Sequence, residues 1–483
     1  LARDGWWLDA PPPDKVDDAQ ATPSRLPRWA GLLSLVALAD WLFWDHRPGV
    51  SLAVFAGAIF AVANAEIRPR RALWRPTLLL LLSAAPVIDH VQPLSVIFLA
   101  LGLAAALIWT RRFEMSPSEM AGGTLAFMYR LPSRWLSPLS PRNGLIVRAL
   151  RSRDERYLPQ RPLRDWAFPL AGGLVLAALM MQANPVLARL LSLDLDLWTM
   201  FSRALFWIGM ALFIAPFLAR DLPEPVRLGG ARSLPMAWPG LNPASVLRAL
   251  VLFNAVVGVQ TATDVSILTF GAALPEGMSM AEYAHRGAYP LLATALLAGA
   301  FALAARPFLG EHRAIRPLLL LWLLQNMVLC GAAMLRLEHY IEAFGLTYLR
   351  LYALIWMGLV AAGLGLVAVQ VLRARPNLWL ATRCSALGLA TLYVCSFLNS
   401  AQIIAAQNLA RPSFDANYIC NLGPMAHGAF RAAVAARPDL SIERQHNCAI
   451  HFQPTVENWR DWGFRSWQVR RYAAAMSRAE LRE

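Results

Sequence analysis

Between Trp29 and Gln402 the chain carries one apolar stretch after another, most of them about 16 to 26 residues long, the length of helix that crosses the hydrocarbon core of a bilayer. Inside lipid, every backbone N–H and C=O must find a partner within its own segment or in a closed barrel. These stretches lack the alternation of apolar and polar residues that barrel strands show, so helices are expected. The fold class that follows is all-α: a polytopic transmembrane helix bundle of about 11 spans with a small extramembrane C-terminal domain. Composition agrees, since 57% of the 483 residues are hydrophobic and only 16% are charged, a balance that water-soluble chains seldom reach.

Spans are expected near residues 29–45, 49–66, 74–91, 93–110, 166–184, 198–218, 246–270, 287–305, 316–336, 347–372 and 379–403. The chain then divides into a cytoplasmic N-terminal arm (1–28), a first group of spans (29–110), a basic cytoplasmic loop with interfacial helices (111–165), a second group of spans (166–403) and an outward-facing helical domain (404–483). Ser116-Pro117-Ser118-Glu119 reads as a helix start within the basic loop, with Ser116 capping, Pro117 in the first turn and Glu119 closing a capping box. Asn143 to Arg153 mixes apolar residues with arginines, as interfacial helices do.

The formal charge of +14 is almost wholly arginine, Lys15 being the single lysine. In a soluble protein such a charge would suggest nucleic acid. Here the arginines crowd into every second loop, eleven of them between Arg111 and Arg164, which is how basic residues fix the cytoplasmic side. The arginine-for-lysine bias itself reads as genome composition. The intervening loops mix single arginines with Asp194, Asp196, Glu276, Glu282, Glu338 and Glu342 and are expected outside. The N-terminus is then cytoplasmic and the C-terminus external. No phosphate-binding glycine loop, paired-cysteine zinc motif or nucleophile elbow occurs, and neither a cofactor nor a metal is implied.

The tail holds Cys420 and Cys448. On an external domain a disulfide between them is permitted, and a domain of this size has reason to need one. Free thiols and a metal site with His446, Cys448 and His451 are the alternatives, although this spacing matches no standard zinc pattern. Trp459, Trp462 and Trp467 interleave with Arg460, Arg465, Arg470 and Arg471. Beside a bilayer that pattern reads as packing on the same domain or placement at headgroup level, not as nucleic-acid stacking.

Charged groups within spans are costly, so the few present are candidates. Asp264, with Gln260 on the same span, could be a proton or cation ligand, or pair structurally with an arginine such as Arg203, Arg336 or Arg350; the structural pair is favoured. Asn326, beside Gln325, either lines a path or joins helices by hydrogen bonds. The external face is richer in polar motifs: Glu282, Tyr283 and Arg286 in one connection, Glu338, Tyr340, Glu342 and Arg350 in the next.

Glu282-Tyr283-Ala284 with Gly287, Tyr340 followed by Phe344-Gly345-Leu346-Thr347 and Leu349-Arg350, Asn399, Asn408-Leu409, Asp415 with Tyr418, and Trp459-Arg460 with Trp462 together carry a family resemblance. From about Leu250 onward the chain resembles the bacterial multi-span membrane family of unknown function numbered 4173, related to the one numbered 4153. Its most specific piece is the Gly-Leu-Thr-x-Leu-Arg element at Gly345 to Arg350. The resemblance implies a multi-helix architecture in the bacterial inner membrane, which makes the C-terminal domain periplasmic. It implies no activity.

Three functions are weighed. The leading one is a non-enzymatic scaffold, assembly or signalling partner of an envelope complex, in contact with the lipid bilayer and with another membrane or periplasmic protein, and with no nucleic acid. The alternative is a transporter or channel for a small solute or ion, with Asp264, Gln260 and Asn326 lining its path. A membrane enzyme using Glu338, His339 and Glu342 is the third.

Overall fold

The computed structural model of the chain describes residues 28–67, 70–113, 115–135, 196–219, 241–270, 280–437 and 458–471, with 169, 172, 173 and 176. The arm before Arg28, the segment 143–153, most of the expected span at 166–184, and His446, Cys448 and His451 lie outside the described residues. Every regular element among the described residues is a helix. The helices fall into two compact units.

The first unit, Leu1–Ala84 with Leu99–Arg227, holds α1 (Arg28–Phe43), α2 (Val50–Ala63), most of α3 (Trp74–Asp89) and α4 (Pro93–Arg111), then α5 (Pro117–Trp135) and α6 (Leu197–Leu218). α1 packs on α2 and α6, and α6 also touches α2 and α5. Ring contacts join the pieces: Phe43 meets Phe55 edge-on at 5.3 Å, and Phe127 lies 5.5 Å from Phe217. α3 and α4 approach so closely that a Cβ on Gly102 would fall 1.8 Å from Ser83 Oγ, which is why only glycine fits there. Asp40 on α1 accepts from Arg203 and from Trp207 Nε1 on α6, so a carboxylate within an apolar helix is paired.

α5 begins as its sequence dictates. Ser116 N–H donates to Glu119 at 2.8 Å while Glu119 N–H donates back to Ser116 Oγ at 3.3 Å, the two halves of a capping box. The Ser116 N–H first, and then the Ser116 hydroxyl donating to the same carboxylate at 2.8 Å, hold the Glu119 carboxyl below the usual range.

The second unit, Ala85–Phe98 with Leu228–Glu483, holds α7 (Pro243–Phe270), α8 (Met280–Ala305), α9 (Ile315–Phe344), α10 (Tyr348–Leu372), α11 (Asn377–Ser396), α12 (Ser400–Leu409), α13 (Ala416–Cys420), α14 (His427–Ala436) and a helical run at 464–471. α9 is its centre, packed by α7, α8 and α10. Ala295, Ala298, Ala302 and Ala305 form a stripe of small residues on α8 and are all buried, so backbones approach closely there. A second apolar cluster, built from Ile341, Leu346, Ile404, Leu409, Ile419 and Phe430, ties the end of α9 to α12, α13 and α14.

Six helices among the described residues are long and apolar enough to cross a membrane: Pro93–Arg111, Trp198–Leu218, Pro243–Leu268, Ile315–Phe344, Tyr348–Leu372 and Asn377–Ser396. Large apolar side chains such as Leu205 and Ile208 on α6, and Val251, Val256 and Val259 on α7, are exposed, as helices facing lipid require. The protein is membrane-embedded.

The described residues do not reach the expected count of about 11 spans, for definite reasons. α1 and α2 have 16 and 14 residues, which at 1.5 Å per residue gives about 24 and 21 Å against a core of roughly 30 Å. The stretch expected as one span at 379–403 is two helices. α11 stops at Ser396, and Asn399 caps α12 by accepting from Gln402 N–H at 3.2 Å.

Arginines close several helix ends, where the last carbonyls lack intrahelical partners. Arg111 donates to Phe217 O at 2.8 Å and also to Ala219 O, at the end of α6. Arg316 donates to Leu372 O at 2.6 Å, at the end of α10. The end of α9 takes two guanidinium groups, described next.

Candidate functional site

Asp264 stands near the C-terminal end of α7, fully buried. A carboxylate there must be neutralised or bonded, and three side chains do this. Arg336 of α9 pairs with Asp264 Oδ1. Gln260, one turn back on α7, donates to the same oxygen at 2.9 Å. Tyr283 of α8 donates its hydroxyl to it at 2.7 Å and accepts from Arg336 Nη2 at 2.6 Å. The guanidinium also lies over the Tyr283 ring, 3.9 Å from its centroid. Three helices are thereby joined by one charge pair, and Arg336 is the arginine among the three weighed that provides it.

Asn326, placed with Asp264 and Gln260 by the sequence, is not part of this cluster. Its amide donates to Trp322 O on its own helix at 2.8 Å.

The second group of polar residues builds the corner between α9 and α10. Gly345 ends α9 with φ 81° and ψ 167°, a conformation open to glycine almost alone. Leu346 follows, buried, and Asn408 from α12 holds both its backbone groups, accepting from Leu346 N–H at 2.6 Å and donating to Leu346 O at 2.8 Å. Thr347 caps α10, accepting from Arg350 N–H. Arg350 then turns back to donate to Phe344 O at 3.0 Å and to Gly345 O, with its guanidinium 4.6 Å from the Tyr340 ring centroid. Arg411 closes the preceding turn, donating to Glu342 O at 2.9 Å and Ala343 O at 2.7 Å. The Gly345–Arg350 element is thus a clasp in which Gly345, Thr347 and Arg350 each have a backbone task, while Leu349 is exposed.

Glu338 and Glu342 are exposed beside this corner, and His339 lies 3.2 Å from Glu342. A cleft of about 610 Å³ opens between α9, α10 and α12, lined mostly by apolar residues such as Met334, Leu335 and Leu354, with Glu338 and Gln407 among its few polar ones. The side chains of Glu282 and Arg286 lie outside the described residues. Among those described, no cluster of histidine, cysteine and carboxylate groups is suited to hold a metal.

The remaining named residues also serve as caps and clasps. Asp415 caps α13 through Tyr418 N–H at 3.0 Å, and Tyr418 Oη accepts from Tyr348 N–H at 3.3 Å. Cys420 is disulfide-bonded, and Cys330, Cys384 and Cys395 are free. The aromatic and basic tail docks within its own unit: Arg465, buried, pairs with Asp89 at the turn after α3, while Gln92 donates to Ser396 O at 2.8 Å. Nothing in the sequence around Asp89 points to this pairing. The signal available was an acid next to a tight turn, which says nothing about a partner 376 positions away.

The model of a family described as a domain of unknown function (DUF4153) matches residues 76–432, well over half of the chain. The chain belongs to the DUF4153 family. This family is the relation of the one that the sequence motifs resemble. The DUF4153 match runs from α3 into α14 and so includes the buried Asp264–Arg336 pair and the whole α9–α10 corner. It leaves α1, α2 and the Arg465 segment of this DUF4153 protein outside. Neither a curated protein nor a solved structure matches the chain.

Proposed function

We propose that this protein is a non-enzymatic scaffold of the bacterial inner membrane, whose outward corner between α9 and α10 holds another envelope protein. The observation that carries this reading is the use to which the motif residues Tyr283, Thr347, Arg350 and Asn408, and with them Asp264, are put: they are bonded to one another or to backbone, and they leave a stiff corner with Glu338 and Glu342 exposed. The Cys420 disulfide supports placing the C-terminal domain in the periplasm, with Cys448 as its partner, because disulfides persist in oxidising compartments. The arginine-rich alternate loops support a cytoplasmic N-terminus.

A photo-reactive residue at Glu338 or Glu342 should give one discrete protein adduct in intact cells, whereas the same probe at exposed Val259 should give lipid adducts alone. Identical patterns at all three positions would remove the scaffold reading.

The transporter or channel reading has one observation in its favour, the buried amides along α7 and α9. The pairing of Asp264 with Arg336 weighs against it, because a carboxylate held by a guanidinium, a phenol and an amide is poorly placed to bind a passing cation. Asp264→Asn in vesicles decides this, since loss of a proton- or cation-coupled flux in a folded variant would favour transport.

A further inference from the structure

α7 and α9 run alongside each other, and their facing surfaces are unusually polar for two helices of a membrane bundle. On α7, Asn254, Gly258, Thr261 and Asp264 follow at helical-face spacing. Three contacts fix how they meet α9. Asn254 Nδ2 donates to Leu318 O at 3.0 Å, a Cβ on Gly258 would lie 3.4 Å from Gln325 Nε2, and Asp264 pairs with Arg336. Polar groups therefore line the seam over much of its length.

Many of them are incompletely bonded. Asn254 Oδ1, Gln325 Oε1, Asn326 Oδ1 and Asp264 Oδ2 are buried acceptors with no hydrogen-bond partner among the described residues, and Trp322 Nε1 and Arg336 Nε are buried donors in the same condition. The residues are themselves deep, with Asp264 and Asn326 fully covered and Arg336 nearly so. Buried polar atoms are ordinarily bonded, and bulk water does not reach the interior of a bilayer to serve them. A cation would satisfy the oxygens and be repelled by the two N–H groups. An anion would do the reverse. Water both donates and accepts, and buried water is the usual partner of such atoms.

We propose that the α7–α9 seam binds a file of internal water molecules running from Asn254 to the Asp264–Arg336 pair. This goes beyond the scaffold reading, which does not require it. The file completes the bonding of the charge pair, gives the Asn254 and Asn326 amides their missing donors, and lets protons reach Asp264 from the seam.

Radiolytic hydroxyl labelling of the protein in lipid nanodiscs tests this, since radicals made from bound water oxidise the side chains beside it. Trp322 should be modified several-fold faster than Met357, which is as deeply buried in the same apolar cluster but carries no unpaired N–H for a water to serve. Asn254→Leu with Asn326→Leu should bring Trp322 down to the Met357 rate. Equal rates in the parent protein overturn the proposal, as does a Trp322 rate unchanged by the double replacement. Should the double variant not fold, a density map of the parent protein in nanodiscs decides: water peaks about 3 Å from Asn254 Oδ1 and Asn326 Oδ1 are expected, and direct side-chain packing against those oxygens overturns it.

Discussion

Asn408 satisfies both backbone groups of one buried residue, Leu346, 62 positions away in the chain. Replacing it with alanine strands an N–H and a C=O inside the apolar cluster, each costing about 1–3 kcal/mol when unmet. Asn408→Ala should therefore lower the unfolding midpoint in mild detergent by several degrees. Gln407→Ala, at an exposed neighbour, should leave it in place. An unshifted midpoint in Asn408→Ala would show that the corner does not depend on this amide.

Gly345→Ala asks for a φ of 81° from a residue with a Cβ, and places that Cβ 2.7 Å from Arg411 Nη1 and 2.9 Å from Asn408 Oδ1. A loss of about 1–3 kcal/mol is expected from the backbone alone. Gly358→Ala, on α10 with nothing within 4 Å of the new Cβ, should be neutral or slightly stabilising. Equal effects of the two would contradict this account of the signature glycine.

The buried pair of Asp264 and Arg336 makes a sharper prediction. Removing either partner leaves a bare charge and should cost roughly 3–5 kcal/mol, whereas replacing both by leucine should recover much of that loss. Unfolding of the two single variants and the double variant measures it. Additive losses would show that the two residues are not energetically coupled.

Arg465→Ala should free residues 464–471 from the turn at Asp89. Backbone hydrogen exchange there should quicken, and so should exchange in the α3–α4 connection, with little change in α7 to α10. Exchange unchanged in both segments would rule out this anchor.

His90 supplies a pH dependence. Burial, and then the nearby Arg465 charge, hold its imidazole below the ordinary value of 6.5, with Asp89 opposing. The unfolded chain binds a proton at about 6.5 while the folded protein resists until lower pH, so stability is complete above 6.5 and falls as pH drops toward the folded value. His90→Gln should flatten the slope of unfolding midpoint against pH in that window. A slope as steep as in the parent protein would assign the dependence elsewhere.

Local signals carried much of this structure. The capping box at Ser116 to Glu119 is written in four consecutive residues, and the long apolar runs at 93–110, 198–218, 246–270, 316–336 and 347–372 each belong to a single helix, the fourth extending well past its run to Phe344. An acid in an apolar span signals that something must pair with it, yet nothing near Asp264 selects an arginine 72 positions distant. The interruption after Ser396 was hidden because the residues on both sides are equally apolar. Its one sign was Asn399 followed by Ser400, a helix-start pair inside what reads as a continuous span. The Gly345–Arg350 element was recognisable as a pattern, but its task depends on Asn408 and Arg411, which the chain delivers only after α11.

The guanidinium group at the end of α6 shows a use for arginine that lysine would not serve. Arg111 spans two carbonyl oxygens with the two Nη groups of one planar fork, whereas Arg350 and Arg411 each reach two oxygens from a single Nη. An ammonium group is a compact point charge without that fixed geometry. At the end of α6 an exchange to lysine that keeps the charge still forfeits the shape, because one ammonium cannot reproduce two parallel N–H groups aimed at Phe217 O and Ala219 O.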